Sequence, residues 1–204
     1  MTKVDQQSFD MIHGTQEIFR KLLDSMSRPG KVNNIHDAVQ FIESVEGLSQ
    51  AMTGIAFTLI DREASFHIIS KRRSEVIQYL RWTTFAKHED ITKVSYVFIH
   101  EPLDEKEIYD VMSQVNRGTL ENPHESATII INVDRLSNGK KLLLSGPGID
   151  GTKECFIEGL PAAWITERER VNKEYPIGVD FIFVTQSGDL TAIPRTTTIE
   201  SECS

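Results

Sequence analysis

Cysteine is nearly absent from this chain: two thiols, Cys155 and Cys203, stand in 204 residues. So few, with no ligand-like spacing, exclude a disulfide framework and a cysteine-rich zinc site, and predict one interior thiol and one tail thiol. Long hydrophobic runs are missing too. No apolar stretch approaches the roughly 20 residues a membrane span requires. The opening residues, Met1-Thr2-Lys3-Val4-Asp5-Gln6-Gln7, hold neither the basic nor the apolar segment of a secretory signal, so a cytoplasmic protein without a membrane partner is expected. Positive charge is scarce as well. With 22 Lys and Arg against 30 Asp and Glu, the formal net charge of -8 excludes a sequence-independent nucleic-acid binder, which needs a concentrated positive surface. The dense basic cluster Lys71-Arg72-Arg73 precedes a helical pattern and reads as a solvated edge. The six histidines, His13, His36, His67, His88, His100 and His124, show no paired spacing on one helix face, so no metal site is expected.

No Pro-, Gly- or Ser-rich linker breaks the chain. With 39% hydrophobic and 25% charged residues, it reads as one domain over residues 1–204, long enough for a real core. Apolar residues Phe9, Ile12, Phe19, Leu22, Leu23 and Met26 recur mainly at three- and four-residue steps, which predicts an amphipathic helix ended by Ser27-Arg28-Pro29-Gly30. Asp37 is read as the N-cap of a second helix carrying Ala38, Phe41, Ile42, Val45 and Leu48. Residues 54–60 read as a strand, with Phe66-His67-Ile68-Ile69 as its hairpin partner.

Strand and helix then alternate. Helices are predicted over residues 74–85 and 104–116, and a strand over 93–99. The run Ala127-Thr128-Ile129-Ile130-Ile131-Asn132-Val133 is apolar without alternation, as in a central strand covered on both faces. Residues 141–145 form another strand candidate, and Pro161 opens a helix running to about Val171. At the end of the chain, Phe181 to Val184 is a strand, Ser187-Gly188-Asp189 a turn, and Ala192-Ile193-Pro194-Arg195-Thr196-Thr197 the return. The expected fold is α/β, a three-layer sandwich around a mixed sheet with hairpins at either end.

The residues that can carry chemistry are few. Gly146, Gly148 and Gly151 lie in a loop whose backbone can approach a phosphate, but Pro147 removes a donor and no Gly-Lys-Ser/Thr follows, so a turn between strands serves equally. Arg195, with Thr196 and Thr197 beside it, can offer a planar fork to a phosphate or carboxylate, or form a structural ion pair with Asp180 or with a partner's acid. Arg28 poses the same choice, and a cation at a helix C-terminus is favoured without any ligand. His124-Glu125-Ser126 lacks the spacing of a catalytic set, and no nucleophile elbow is present.

Several of these segments together resemble one family. Phe19-Arg20-x-Leu22-Leu23-Asp24-x-Met26-x-Arg28-Pro29-Gly30, then Arg117-Gly118 followed by Pro123 and Ala127-Thr128, Leu144-x-Gly146-Pro147-Gly148-Ile149, Tyr175-Pro176-x-Gly178-Val179-Asp180 and Ala192-Ile193-Pro194-Arg195-Thr196-Thr197 are similar to the PhnH family of the bacterial carbon-phosphorus lyase system. The resemblance implies a reduced pyridoxal-phosphate-dependent transferase fold without the cofactor, and a homodimer. It also implies the partners PhnG, PhnI and PhnJ, and a place in alkylphosphonate catabolism. There the family is associated with forming ribose 1-phosphonate 5-triphosphate from a purine nucleoside triphosphate, as a subunit without its own complete active site. Lys93, Lys140, Lys141 and Lys153 show no phosphate-cup motif around them, in keeping with the absence of pyridoxal phosphate. The alternative from the residues alone is a stand-alone phosphate- or nucleotide-binding enzyme using the Gly146 to Gly151 loop and Arg195.

Overall fold

The computed structural model describes residues 8–201. Helix α1 (Met11–Ser27) starts at Asp10, whose carboxylate accepts the backbone N–H groups of Ile12 and His13 at 2.9 and 3.0 Å. Gly14, Ile18, Leu22 and Ser25 face the interior, whereas Ile12, Phe19 and Leu23 are exposed. The helix therefore carries two apolar stripes. Much of the periodicity visible in the sequence belongs to the outer one.

Next come β1 (Asn33–Asn34) and a single helical turn, α2 (His36–Val39), in place of the long helix expected from Asp37. Asp37 lies inside that turn, and the chain then turns at Gly47 (φ +92°) before restarting at Ser49. The Ser49 hydroxyl accepts the Met52 N–H at 3.2 Å and opens α3 (Gln50–Leu59). Residues 54–59 are thus helical, which corrects the strand expected there. The cause is burial: Ala51, Met52, Thr53, Gly54, Ile55 and Ala56 are all interior. A segment covered on every side has no helical periodicity and reads as an apolar strand.

The remaining elements are β2 (Ser65–Ile69), α4 (Arg73–Thr84), β3 (Lys87–His88), β4 (Tyr96–Ile99), α5 (Glu105–Gln114), a 3-10 turn (Pro123–Glu125), β5 (Thr128–Asn132), β6 (Arg135–Ser145), β7 (Lys153–Glu158), α6 (Ala162–Val171), β8 (Asp180–Val184), β9 (Asp189–Ile193) and β10 (Thr198–Ser201). Helix α5 opens with a reciprocal cap: Asp104 accepts the Glu107 N–H, and the Glu107 carboxylate accepts the Asp104 N–H, each at 2.8 Å.

Seven strands form a mixed sheet in the order β1-β9-β8-β5-β4-β2-β3. β2 runs parallel to β3 and β4, and β4, β5 and β8 continue in parallel, so β2 is not in a hairpin. Of the hairpins expected at both ends, β8–β9 is the one that forms, with Phe181 opposite Ile193. β5 holds the middle of the sheet, as its unalternating run requires.

Adjacent residues on these strands enter opposite cores. Val97, Ile99, Ile129, Ile131, Phe181 and Phe183 pack with Ile108 and Met112 of α5, Trp164 of α6, and Leu142, Leu144, Cys155 and Ile157 of a second sheet. Phe98, Ile130, Ile182 and Val184 pack with Ile18, Leu22, Met52, Ile55, Val76 and Leu80 of α1, α3 and α4. Each fully buried Phe or Leu contributes about 1.5–3 kcal/mol, so both layers hold the sheet rather than one. The second sheet, antiparallel in the order β10-β6-β7, covers the α5 and α6 face. No helix among the described residues is long and apolar enough to cross a membrane.

Candidate functional site

The site assembles where the end of β9 meets α6 and the start of β8. Pro194 opens a turn closed by the Thr197 N–H on the Pro194 carbonyl at 2.9 Å, and the chain passes directly into β10. Within that turn Arg195 is held by Asp180. Its backbone N–H donates to Asp180 Oδ1 at 2.7 Å, Nε to the same oxygen at 3.3 Å, and Nη2 to Oδ2 at 2.6 Å. Nη1 donates to the Pro123 carbonyl at 2.9 Å. With side chains 18% and 12% exposed, this is a largely desolvated, two-point pair. Of the roles that the sequence leaves open for Arg195, the ion pair with Asp180 is present, and it ties the 3-10 turn to β8 and β9.

A second arginine lies behind it. Arg168 of α6 is 3% exposed and donates through Nη2 to the carbonyls of Pro194 and Thr197 at 2.5 and 3.0 Å. Its guanidinium carbon stands 5.9 Å from the centre of the Phe181 ring. Burial lowers its pKa to about 10, against the attraction of Asp180, so it remains a cation at neutral pH. Arg168 Nε and Thr197 Oγ1 are buried with no hydrogen-bond partner in the protein.

Beside these groups opens a cleft of about 680 Å³, lined by Ile165, Thr166, Arg168, Glu169 and Arg170 of α6, by Asn172, Lys173, Tyr175 and Ile177, and by Arg195 to Ile199. Asn172 braces its rim: its side-chain amide exchanges hydrogen bonds with the Val179 backbone at 2.8 and 3.0 Å. A smaller hollow of about 310 Å³ shares Tyr175, Arg195 and Thr196 and adds His124 and Asp180.

Of the residues singled out in the sequence, Arg195, Thr196 and Thr197 therefore line one cleft. Gly146, Gly148 and Arg28 do not. Gly146 (φ +128°) presses on the same turn from outside, where a Cβ would meet the Thr196 carbonyl at 3.0 Å. Gly148 (φ +82°) has no room for a Cβ because the Ser27 carbonyl occupies that space. The glycine loop is thus a joint between the end of α1 and the turn at 194–197. Arg28, 60% exposed, pairs with Asp24, as does Lys31 at 2.7 Å. Lys140, Lys141 and Lys153 stand on β6 and β7, with Lys141 paired to Glu154 at 2.8 Å. Among the described residues no group of three or more His, Cys, Asp or Glu is placed to hold a metal ion.

Sequence reasoning misses Arg168, Asn172 and Lys173. A signal for the first is present: Trp164, Ile165 and Val171 mark the buried stripe of α6, and Arg168 falls on it as the sole cation. A charge on an apolar stripe announces a buried polar contact.

Comparison with known proteins gives these motifs a common origin. The chain is 27% identical over 188 residues, 90% of its length and 85% of the relative's, to the putative C-P lyase subunit protein HtxG of Stutzerimonas stutzeri. It is 25% identical over 196 residues, 95% of its length and 94% of the relative's, to the alpha-D-ribose 1-methylphosphonate 5-triphosphate synthase subunit PhnH of Rhizobium meliloti (strain 1021). The model of the bacterial phosphonate metabolism protein family, PhnH, matches residues 7–200, taking in every motif assembled around the cleft. The chain belongs to the PhnH family of bacterial phosphonate metabolism proteins.

Proposed function

We propose that this protein is an accessory subunit of a carbon-phosphorus lyase core complex. It acts in the cytoplasm at the step that forms ribose 1-phosphonate 5-triphosphate from a purine nucleoside triphosphate and a phosphonate. The carrying observation is the family match across residues 7–200, joined by a relative whose name specifies a subunit of the synthase for that class of product. PhnG, PhnI and PhnJ are the partners, alongside a second copy of the chain. The fold is read as a reduced pyridoxal-phosphate-dependent transferase that works without the cofactor.

Two structural features support a role in assembly and binding. Arg195 directs its side-chain donors to Asp180 and Pro123, which is architecture first. The exposed stripe of Ile12, Phe19 and Leu23 on α1 is the kind of apolar surface that subunit contacts cover. The stand-alone enzyme has less support, because Gly146 and Gly148 press on protein backbone rather than opening toward a ligand.

Growth tests the reading. A host deleted for this gene should fail on methylphosphonate as sole phosphorus source, recover with the gene returned, and grow normally on inorganic phosphate. Undiminished growth of the deletion strain on methylphosphonate contradicts it. Added pyridoxal phosphate should leave the purified protein colourless; a visible aldimine band would reverse the cofactor reading.

A further inference from the structure

The charges around the cleft do not balance. Arg168 and Arg195 are both held close to Asp180, whose two oxygens serve Arg195. Arg170 is matched by Glu167 at 2.7 Å. The remaining lining charges, Glu169 and Lys173, are both exposed. One buried cation thus lacks a carboxylate of its own, inside a chain whose formal net charge is -8. An uncompensated buried charge is costly, and so is each buried donor left unbonded. Both costs fall on two residues that line the cleft and are hydrogen-bonded to each other through Arg168 Nη2 and the Thr197 carbonyl: Arg168, with its Nε unbonded, and Thr197, with its Oγ1 unbonded, are 3% and 2% exposed.

We propose that the cleft between α6 and residues 195–199 binds a tetrahedral phosphorus oxyanion, with Arg168 and Thr197 as its buried donors and Lys173 at its rim. A water molecule could satisfy the two orphan groups but would not cancel the charge; an anion does both. A guanidinium, a hydroxyl and an ammonium lining one cleft suit an oxyanion with three or more oxygens better than a planar carboxylate. At about 680 Å³ the cleft is in the size range of small-molecule sites, and Ile165, Ile177 and Tyr175 offer apolar surface to the organic part of the ligand. Choosing phosphorus among oxyanions rests on the proposed role in phosphonate metabolism; the charge argument for an anion does not.

Calorimetry on the full chain tests this with methylphosphonate, tripolyphosphate and acetate as probes. At least one phosphorus probe should bind saturably at millimolar concentration or below, with acetate clearly weaker. A preference for methylphosphonate assigns the site to the phosphonate end of the ligand, and one for tripolyphosphate to a nucleotide phosphate chain. Thr197→Val should weaken binding about tenfold, the equivalent of one charge-assisted hydrogen bond. It should leave the melting temperature intact, because the hydroxyl has no internal bond to lose. Lys173→Gln, at an exposed position, should also weaken binding and flatten its salt dependence. Absence of binding by both phosphorus probes overturns the proposal. So does acetate binding as tightly as they do, or unchanged affinity in both variants. Failure here with methylphosphonate growth still dependent on the gene removes the site alone; binding retained while growth is independent of the gene removes the pathway role instead.

Discussion

Asp180 is the residue on which the site depends, since its carboxylate is the counter-charge to Arg195 and acts on Arg168 as well. Asp180→Asn should therefore destabilise the protein by about 3–5 kcal/mol, the cost of stranding a desolvated partner. Urea unfolding measures it directly, and a loss below 1 kcal/mol would mean the pair is solvated. Burial raises the Cys155 thiol to about 11, so it should resist iodoacetamide at pH 8 in the native state and react once the chain is unfolded. Peptide mass mapping reads this residue separately from Cys203, which lies outside the described residues. At this scale the sequence was legible wherever a residue's partner lay in a recognisable motif: Asp180 could be named for Arg195 beforehand. Arg168 could not, because its acceptors are two backbone carbonyls that only the fold brings to it.

Among the elements, the joint between α1 and the glycine loop carries a sharp test. Gly148→Ala must place a Cβ into the Ser27 carbonyl from a left-handed backbone, at a cost of about 2–5 kcal/mol in conformational strain and overpacking. Gly151→Ala, also left-handed but with no atom within 4 Å, should lose about 1–2 kcal/mol. Equal losses in denaturant melts would show that the joint is not close-packed. Edge strand β3 adds a pH dependence. Burial, then the neighbouring His67, Arg73 and Arg81, lower His88 to about 4 from 6.5. A depressed histidine is neutral in the folded state, so its contribution is full above pH 6.5 and drains away as pH falls toward 4. His88→Gln should flatten the stability profile across that window; an unchanged profile would place the acid sensitivity elsewhere. Elements with one wet face, such as α4 and α5, and those bounded by Gly or Pro, such as α6 and β8–β9, were readable from the sequence. The buried helix α3 was not, since burial on all sides erases the period that distinguishes helix from strand. The parallel pairing of β2 depends on contacts with β3 and β4 that no local pattern encodes.

For the molecule as a whole, two cores on either face of one mixed sheet bring together segments distant in the chain. The end of α1 meets the loop after β6, and that loop meets the turn between β9 and β10. These contacts explain why the family's motifs are scattered along the sequence yet form one neighbourhood. They also separate roles that looked alike in one dimension: Arg195 braces, Gly146 and Gly148 join, and the cleft itself belongs to α6, the residues that follow it and the turn into β10. On the function proposed above, this neighbourhood serves a subunit of a larger phosphonate-processing assembly. The most direct measurement is co-expression of the tagged protein with the PhnG, PhnI and PhnJ subunits of its own host, followed by affinity capture and size-exclusion chromatography. The partners should co-elute with this chain as one stoichiometric species. Elution of the chain alone, while the other subunits assemble without it, would contradict the claim.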